Sequence, residues 1–202
     1  AGCLDEIAKY SRRNFDFEVI IVDNNSGDGR LESFKSGYPD NFRFVLNSVN
    51  GGFANGCNIG ESVAQGDYIL FLNPDTVAPE NAVSELLARA KSTSGCSIFS
   101  CRQIYDNGKE SRAFGEFIRP GRLTGPGRAL TKLVRPGKEE WPESGNMITP
   151  GWISGSVMMI GRSLFKELGR FDEDYWMYFE DMDFCRRAAD RGERICYFTD
   201  IT

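Results

Sequence analysis

The sequence contains no histidine in its 202 residues. This absence excludes histidine-ligated metal sites, Ser-His catalytic triads and imidazole general bases. Any acid–base chemistry must therefore use carboxylate, tyrosine, cysteine or lysine side chains. Acidic residues outnumber basic ones by 29 to 24, which gives a formal net charge of −5. This charge argues against a nucleic acid as a non-specific partner.

Long apolar runs and paired cysteine motifs are also missing. No apolar run approaches the length of a membrane span, and the first residues do not have the pattern of a signal peptide. The six cysteines form no CxxC pair, and most lie inside apolar patterns. We therefore expect one globular, cytoplasmic domain with reduced, buried cysteines. These cysteines are Cys3, Cys57, Cys96, Cys101, Cys185 and Cys196.

An unbroken apolar segment at 68–72 is followed directly by Asn73-Pro74-Asp75. Such a run predicts a strand buried on both faces, as in a parallel sheet, and the proline ends it. Asp75 would then lie just past the carboxyl end of a central strand, where open α/β sheets bind ligands. A carboxylate there could hold a divalent cation bound to a diphosphate. Alternatively, Asp75 caps the helix that begins near Pro79.

Further apolar segments predict strands near 17–22, 42–46 and 97–101, with helical patterns between them. This alternation predicts an α/β fold with a mostly parallel central sheet, helices on both faces and a small antiparallel elaboration. The 17–22 strand runs into a dense polar turn at 23–29. That turn could bind a ligand, or it could be an Asx-turn that caps a helix at 30–36.

Two glycine-rich segments carry weaker signals. Gly56 and Gly60 lie four residues apart at the start of a predicted helix. A glycine-rich helix start suits phosphate or ribose contact, but tight packing of helix on sheet explains it equally well. Residues 114–145 hold most of the prolines, and they predict a long surface loop with an excess of basic side chains.

A second carboxylate lies at the head of a predicted helix over 180–191. Asp181 precedes two apolar positions by three and four residues, so it shares their buried face. The helix dipole favours its charged form, which would be an available base at neutral pH. Alternatively, Asp181 caps the helix N-terminus with Glu180 as its partner. The predicted apolar stripe consists of Phe184, Cys185, Ala188 and Ala189.

Five segments in this order resemble family 2 glycosyltransferases of the GT-A fold, and most closely their rhamnosyltransferase-like branch. Together the segments cover most of the chain. They are EVIIVDNNSGDG (18–29), NGGFANGCNIG (50–60), GDYILFLNPDT (66–76), GWISGSVMMIGR (151–162) and GRFDEDYWMYFEDMDFCRRA (169–188).

The resemblance implies transfer of a sugar from a nucleotide-sugar donor to a hydroxyl of a glycan or lipid-linked acceptor. The reaction would be an inverting single displacement that uses Mg²⁺ or Mn²⁺, in polysaccharide or cell-surface glycan synthesis. The family also implies a GT-A domain over 1–202, with the donor half at about 1–101 and the acceptor half at about 102–202. Peripheral association with the inner face of the membrane would fit such a role.

The resemblance also assigns roles to particular residues. Asn73 and Asp75 stand at the family's DXD position, with Asp75 as the metal ligand. Asp181 matches the catalytic base of the family's ED pair, in which Glu180 is the other member. Residues expected to contact the nucleotide, the sugar or the acceptor are Asp23, Asn25, Asn58, Trp152 and Gly155.

Three departures from the family pattern stand out. The DXD position reads Asn73-Pro74-Asp75, so it offers a single carboxylate. The family's first strand has no counterpart before residue 3, and the segment that usually follows the last strand is also missing. We therefore expect a chain trimmed at both ends, with an unpaired strand edge that favours self-association.

Two other functions remain open at this point. A nucleotidyltransferase of similar fold would require a loop rich in glycine and basic residues near its first strand, and the sequence has none. A non-catalytic nucleotide-sugar-binding domain would be expected to have lost Asp75 or Asp181, and both are present.

Overall fold

The computed structural model describes residues 2–10, 15–29, 37–111, 113–117 and 146–202. The helix predicted at 30–36 and nearly all of the loop predicted at 114–145 lie outside these residues. Within the described ranges, no helix is long and apolar enough to cross a membrane.

The described residues form an alternating series of strands and helices. The strands are β1 (Val19–Asp23), β2 (Phe42–Leu46), β3 (Tyr68–Leu72), β4 (Ile98–Cys101), β5 (Phe114–Gly115), β6 (Met147–Ile148), β7 (Trp152–Ile153), β8 (Val157–Gly161) and β9 (Ile195–Phe198). The helices are α1 (Gly2–Ile7), α2 (Gly52–Val63), α3 (Glu80–Ser92), α4 (Arg162–Glu167) and α5 (Glu180–Asp190).

The largest sheet has five strands in the order β3-β8-β4-β9-β6. The only neighbouring pair of strands that runs parallel in this sheet is β4 with β9. Strand β8 is antiparallel to both of its neighbours, β3 and β4, and β6 is antiparallel to β9. The expectation of a mostly parallel central sheet is therefore wrong for this sheet, which is mixed. The α/β class itself is confirmed. Strands from both predicted halves of the chain alternate in the sheet, so the halves share one core.

The predicted central position of the 68–72 strand is also wrong, because β3 lies at the end of the five-stranded order. A continuous apolar run indicates that both faces of a strand are covered. It does not indicate what lies beside the strand, because edge pairing uses backbone groups that are the same for every residue except proline. The sequence pattern therefore predicted the strand but not its neighbours, and of the residues in β3 only Phe71 is buried while the others are partly buried.

Helices cover both faces of this sheet, as predicted, and β8 divides its side chains between two apolar clusters. Met158 and Ile160 pack on one face with Phe184 of α5, all three fully buried. Val157 and Met159 pack on the other face with Leu86 of α3. This alternation follows from the two-residue period of a strand, and it fixes the register of β8 against β3.

A separate parallel pair, β1 and β2, lies beside the larger sheet. A cavity of about 590 Å³ is lined by both β1 and β3, together with parts of α1 and α2. Among the described residues, β1 pairs only with β2 and β3 pairs only with β8. The second edge of each strand therefore has no partner strand in this part of the chain.

The cysteines differ from their predicted state. Cys96 and Cys196 form a disulfide across 100 residues of sequence, so the prediction that all six are free is wrong. Their separation hides the pairing, which depends on β9 lying beside β4. Cys3, Cys101 and Cys185 are free and buried, and Cys57 is free and partly buried. The cysteines thus give no argument for a reducing compartment.

We expect the chain to self-associate, or another segment to cover its open edges, because unpaired strand edges readily pair with other strands. Light scattering over a concentration series should show association of the wild-type chain. Ile20→Lys, which puts a charge into the cavity, should weaken it. The control is Leu46→Lys on β2, where the residue is 63% exposed. A wild-type chain that stays monomeric at every concentration would contradict this prediction.

Candidate active site

Asp75 lies on the turn that follows β3, three residues beyond its last residue, and its side chain is exposed. The turn is closed by a hydrogen bond from Thr76 N to Asn73 O, at 3.0 Å. Helix α3 begins at Glu80 with Pro79 at its N-cap and no side-chain capping bond. The alternative role of Asp75 as the cap of this helix therefore does not hold.

Asp181 lies in the first turn of α5 and faces the segment before β8. Its Oδ2 accepts a hydrogen bond from Gly155 N at 3.0 Å, and its Oδ1 accepts one from Met182 N at 2.7 Å. The residue at the N-cap is Phe179, without a side-chain capping bond. Asp181 is therefore not the cap of α5. It instead joins the helix to the 154–156 segment.

Helix α5 presents the predicted apolar stripe with one correction. Phe184, Cys185 and Ala188 are fully buried, as predicted. Ala189 is exposed, because the buried face of α5 is narrower than the four-residue stripe. Asp183 is partly buried and accepts a hydrogen bond from Arg187 Nε at 2.8 Å, while Arg187 also donates to Arg170 O at 2.8 Å. The two aspartates of the first turn therefore have different partners.

Two adjacent residues, Gly155 and Ser156, connect the elements that carry both candidate carboxylates. Gly155 N donates to Asp181, and Ser156 O accepts from Asn73 N at 3.0 Å. A Cβ at Gly155 would lie 3.1 Å from Cε1 of Phe53 and 3.7 Å from Cβ of Asp181. Helices α2 and α5 both approach this backbone closely, so a larger residue would fit only if the Phe53 ring shifted.

Glu180 differs from its neighbour Asp181 in its surroundings. The side chain is buried, and within the described residues its Oε2 has no hydrogen-bond partner. Burial raises the pKa of Glu180, and the nearby charge of Asp181 raises it further. Two adjacent carboxyl groups thus have different environments, a pattern typical of functional sites.

In the polar turn after β1, the side chain of Asp23 binds Ser26, three residues further along the chain. The helix that this turn would cap, at 30–36, lies outside the described residues. Oδ1 of Asp23 accepts hydrogen bonds from Ser26 Oγ at 2.6 Å and Ser26 N at 2.8 Å. These bonds lower the pKa of Asp23. Asn25 is exposed and has a φ of 61°. Contact of Asp23 and Asn25 with a nucleotide remains a prediction.

Asn58 is nearly buried, and its amide group contacts the chain before α5. Its Nδ2 donates to Phe171 O at 2.9 Å and to Glu173 Oε1 at 2.8 Å, while its Oδ1 accepts from Phe171 N at 3.2 Å. These bonds occupy the amide donors of Asn58. Its expected position near the nucleotide remains a prediction. The hydrogen bonds that the structure shows for Asn58 join α2 to the chain before α5.

Sequence reasoning missed a set of amide side chains that surround the start of α2. Asn47 Nδ2 donates to Asn24 Oδ1 and to Asn55 Oδ1, both at 2.8 Å. Asn55 Nδ2 then donates to Glu173 Oε2 at 2.7 Å. The available signal was the density of asparagine in the turns at 24–25 and 47–50 and in the helical segment at 55–58.

Trp152 lies on β7, which pairs with β5. Its ring covers Gly115, where a Cβ would lie 2.9 Å from Cζ2 of the indole. Its Nε1 donates to Glu116 O at 3.2 Å. The ring is therefore held by the 113–117 segment, and a contact of Trp152 with a sugar remains a prediction.

A divalent cation fits this site only if a bound diphosphate supplies some of the oxygen ligands. In the described part of the chain, no group of three or more potential metal-ligating side chains is present. Asp75 offers one exposed carboxylate, and Asn73 adds an amide oxygen two residues before it. One or two carboxylates plus phosphate oxygens and water is a usual ligand set for Mg²⁺. The residues present therefore fit a cation that arrives with a diphosphate.

Solved structures identify the class of fold. The structure of GalNAc-T7 with UDP, GalNAc and Mn²⁺ matches with a TM-score of 0.66 and 16% identity, covering 96% of this chain and 38% of that one. A mannosyltransferase from Pyrobaculum calidifontis, in complex with GDP-Man and Mn²⁺, matches with a TM-score of 0.65 and 19% identity, covering 98% and 50%. The fold is the GT-A fold of glycosyltransferases.

The chain belongs to glycosyl transferase family 2, whose model matches residues 1–167. The Haloferax volcanii hexosyltransferase Agl10 of low-salt glycan biosynthesis is 31% identical over 89% of this chain and 55% of its own length. The Mycobacterium tuberculosis N-acetylglucosaminyl-diphospho-decaprenol L-rhamnosyltransferase is 26% identical over 86% and 61%. The chain thus spans little more than half the length of these relatives. The family resemblance seen in the sequence is confirmed.

The raised pKa of Glu180 predicts a pH-dependent stability. The folded state binds the proton more tightly than the unfolded state, so this stabilisation is full below the unfolded-state pKa of about 4.3. It is lost as the pH rises through the folded-state pKa. Glu180→Gln should remove this dependence, and its free energy of unfolding relative to wild type should therefore rise from about pH 4 to about pH 7.

Urea unfolding at both pH values measures this difference. Glu85→Gln is the matched control, because Glu85 is largely exposed and paired with Arg89. It should not reproduce the trend. A constant difference between Glu180→Gln and wild type at both pH values would contradict the assignment.

Proposed function

We propose that the protein is an inverting glycosyltransferase that moves a sugar from a nucleotide-sugar donor to a hydroxyl of an acceptor. The observation that carries the proposal is the joint attachment of Asn73 and Asp181 to the 155–156 backbone. This attachment links the turn of Asp75 to the helix of Asp181. In this proposal, the diphosphate binds on the Asn73 side of this attachment and the acceptor hydroxyl on the Asp181 side.

The two carboxylates have separate roles in this proposal. Asp181 takes the proton of the acceptor hydroxyl, whose oxygen forms a bond to the anomeric carbon of the donor sugar. The bond from that carbon to the diphosphate oxygen breaks on the opposite face, and the configuration inverts. Asp75, with Asn73, would hold Mg²⁺ or Mn²⁺, and the cation would supply positive charge against the leaving diphosphate. Glu180 lies beside the base as the other member of the ED pair.

The donor side is assigned to the ends of β1 and β3. Asp23 and Asn25 would contact the nucleotide, with Asn58 behind them. The solved relatives carry UDP or GDP-Man together with Mn²⁺, which supports a nucleotide-sugar donor. A screen of UDP-, GDP- and dTDP-sugars with Mn²⁺, performed on the full-length protein, identifies the donor.

The acceptor side is assigned to Trp152, Gly155 and the large side chains at 175–179, just before α5. Five consecutive large side chains at 175–179 are exposed there, directly before the ED pair. Such a patch commonly marks a binding surface. The M. tuberculosis relative is named for a lipid-linked acceptor, which supports a glycan or lipid-linked acceptor for this protein. We assign the reaction to the cytoplasmic side, at the inner face of the cell membrane.

Asp75→Ala should abolish metal-dependent binding of a nucleoside diphosphate, because it removes the one carboxylate placed to hold the cation. Calorimetry with UDP, GDP and dTDP, each with and without Mn²⁺, measures the effect. The control is Asp67→Ala, before β3, which should bind as wild type does. Unchanged metal-dependent affinity of Asp75→Ala would show that the metal ligand is misassigned.

Asp181→Asn should slow sugar transfer and leave donor affinity unchanged, because a base acts in the transition state. The amide keeps the shape and can still accept from Gly155 N, but it cannot take the proton. Loss of a general base typically lowers the rate by ~10²–10⁴-fold. We therefore expect transfer at least ~100-fold slower in the full-length enzyme.

Asp183→Asn is the matched control, since Asp183 lies in the same helical turn but pairs with Arg187 and not with the 154–156 segment. It should reduce transfer much less. The paired measurement is donor affinity and initial transfer rate for both variants. If Asp183→Asn is the more damaging change, or Asp181→Asn transfers at the wild-type rate, another group is the base.

A further inference from the structure

The chain between buried Phe171 and helix α5 has exposed side chains throughout residues 172–179. This connecting loop delivers Asp181 to the site, yet its side chains contribute none of the residues of the apolar clusters. Its conformation must therefore be set by specific polar contacts. These contacts are made with α2, on the donor side of the site.

We infer that Glu173 is a positioning residue that holds the donor-side turns and the catalytic base in a fixed relation. This inference rests on the proposed function. Glu173 is not assigned contact with substrate. It acts through hydrogen bonds to α2 on one side and through the connecting loop to Asp181 on the other.

The carboxylate of Glu173 makes two hydrogen bonds to one helix face. Its Oε2 accepts from Asn55 Nδ2 at 2.7 Å, and its Oε1 accepts from Asn58 Nδ2 at 2.8 Å. Asn55 and Asn58 lie three residues apart on α2, so they present their amides on the same side. The bonds from Asn58 and then Asn55 lower the pKa of Glu173. The group is thus held as a carboxylate, which only accepts hydrogen bonds.

The network extends from Glu173 to the ends of both parallel strands. Asn55 accepts from Asn47, which follows β2, and Asn47 also donates to Asn24, which follows β1. Asn24 Nδ2 in turn donates to Gly52 O at 2.7 Å. The directions of these bonds are consistent. Asn55 and Asn58 both donate to Glu173 through the NH₂ group, and each accepts another hydrogen bond through its amide oxygen. The candidate nucleotide-binding turn at Asp23 is therefore tied to the connecting loop.

A second contact holds the loop to α2 three residues after Glu173. Trp176 O accepts a hydrogen bond from Phe53 N at 3.0 Å. A Cβ at Gly52 would overlap Trp176 O, so the close approach requires glycine at this position. Beyond this contact, Tyr178 and Phe179 have φ values of 69° and 74°. These are strained for aromatic residues and lead directly into α5.

Glu173 can act in positioning without being needed for folding, because it is not part of the apolar core. Phe171 and Phe184 contact each other with ring centroids 5.2 Å apart, and both are buried. Glu173 itself is exposed. Its substitution should therefore leave the fold intact and alter the placement of the loop. A misplacement of about 1 Å in a site can lower a rate by about 10²-fold.

Glu173→Gln is the sharpest single change, because it keeps the shape and replaces one accepting oxygen by a donating NH₂ group. That group would face an amide that also donates. We expect transfer by the full-length enzyme to fall by about 10- to 100-fold, with a change in kcat, while the thermal midpoint moves little. Asp174→Asn, one residue further along the same exposed loop, is the control and should transfer as wild type does.

A second substitution tests the hydrogen-bond pattern itself. In Glu173→Gln/Asn55→Asp, the NH₂ of the glutamine donates to the new carboxylate at 55, which still accepts from Asn47. The other oxygen of the glutamine accepts from Asn58. The double variant should recover most of the lost transfer rate, whereas Asn55→Asp alone should not match wild type, because it places two carboxylates together.

A readout independent of activity is the backbone amide of Gly155, which donates to Asp181. Hydrogen exchange at this amide, measured in the 202-residue chain, should be faster in Glu173→Gln than in wild type. In the double variant it should return to the wild-type rate. Unchanged exchange at Gly155, or equal loss of transfer in Glu173→Gln and Asp174→Asn, would overturn the positioning role. A wild-type full-length enzyme that transfers no sugar would instead overturn the proposed function, and the exchange measurement would still decide the role of Glu173.

Discussion

The hydrogen bond from Gly155 N to Asp181 Oδ2 is the constraint on which the site depends. It joins the head of α5 to the start of β8, and the neighbouring Ser156 O binds Asn73 at the end of β3. Helix α2 also approaches this backbone, because a Cβ at Gly155 would lie 3.1 Å from Cε1 of Phe53. The end of β3, the start of α2 and the first turn of α5 thus meet at two backbone residues.

The packing of β8 holds the 155–156 backbone in place. Strand β8 places alternate side chains in two apolar clusters, so its position between β3 and β4 is fixed on both faces. The candidate carboxylates lie at the ends of these elements, on a turn and on a first helical turn. This is the usual division between a packed scaffold and functional groups at its edges.

Two buried glutamates differ in their partners. Glu61 is buried and forms ion pairs with Lys166 at 3.2 Å and Arg170 at 2.6 Å, which tie α2 to the chain around α4. Glu180 is also buried, its Oε2 lacks a hydrogen-bond partner among the described residues, and burial raises its pKa. An ion-paired buried carboxylate holds two elements together, whereas a buried carboxyl group with a raised pKa is a candidate functional group.

The sequence by itself determined the α/β class, the strands at 42–46 and 68–72, and the position of Asp181 on the buried side of its helix. These features follow from local periodicity and from turn residues, which act over a few neighbours. The family motifs also pointed to Asp75 and Asp181 as candidate site residues, because the order of the motifs along the chain is visible without a structure.

Only the tertiary structure decided the antiparallel position of β8, the edge position of β3 and the disulfide between Cys96 and Cys196. The same holds for the amides that connect Asn24, Asn47 and Asn55 to Glu173. Strand neighbours are chosen by packing between distant segments, and backbone pairing leaves no mark on side-chain pattern. A single asparagine or glutamate likewise reads as an ordinary surface residue until folding brings its partner within 3 Å, about the length of a hydrogen bond.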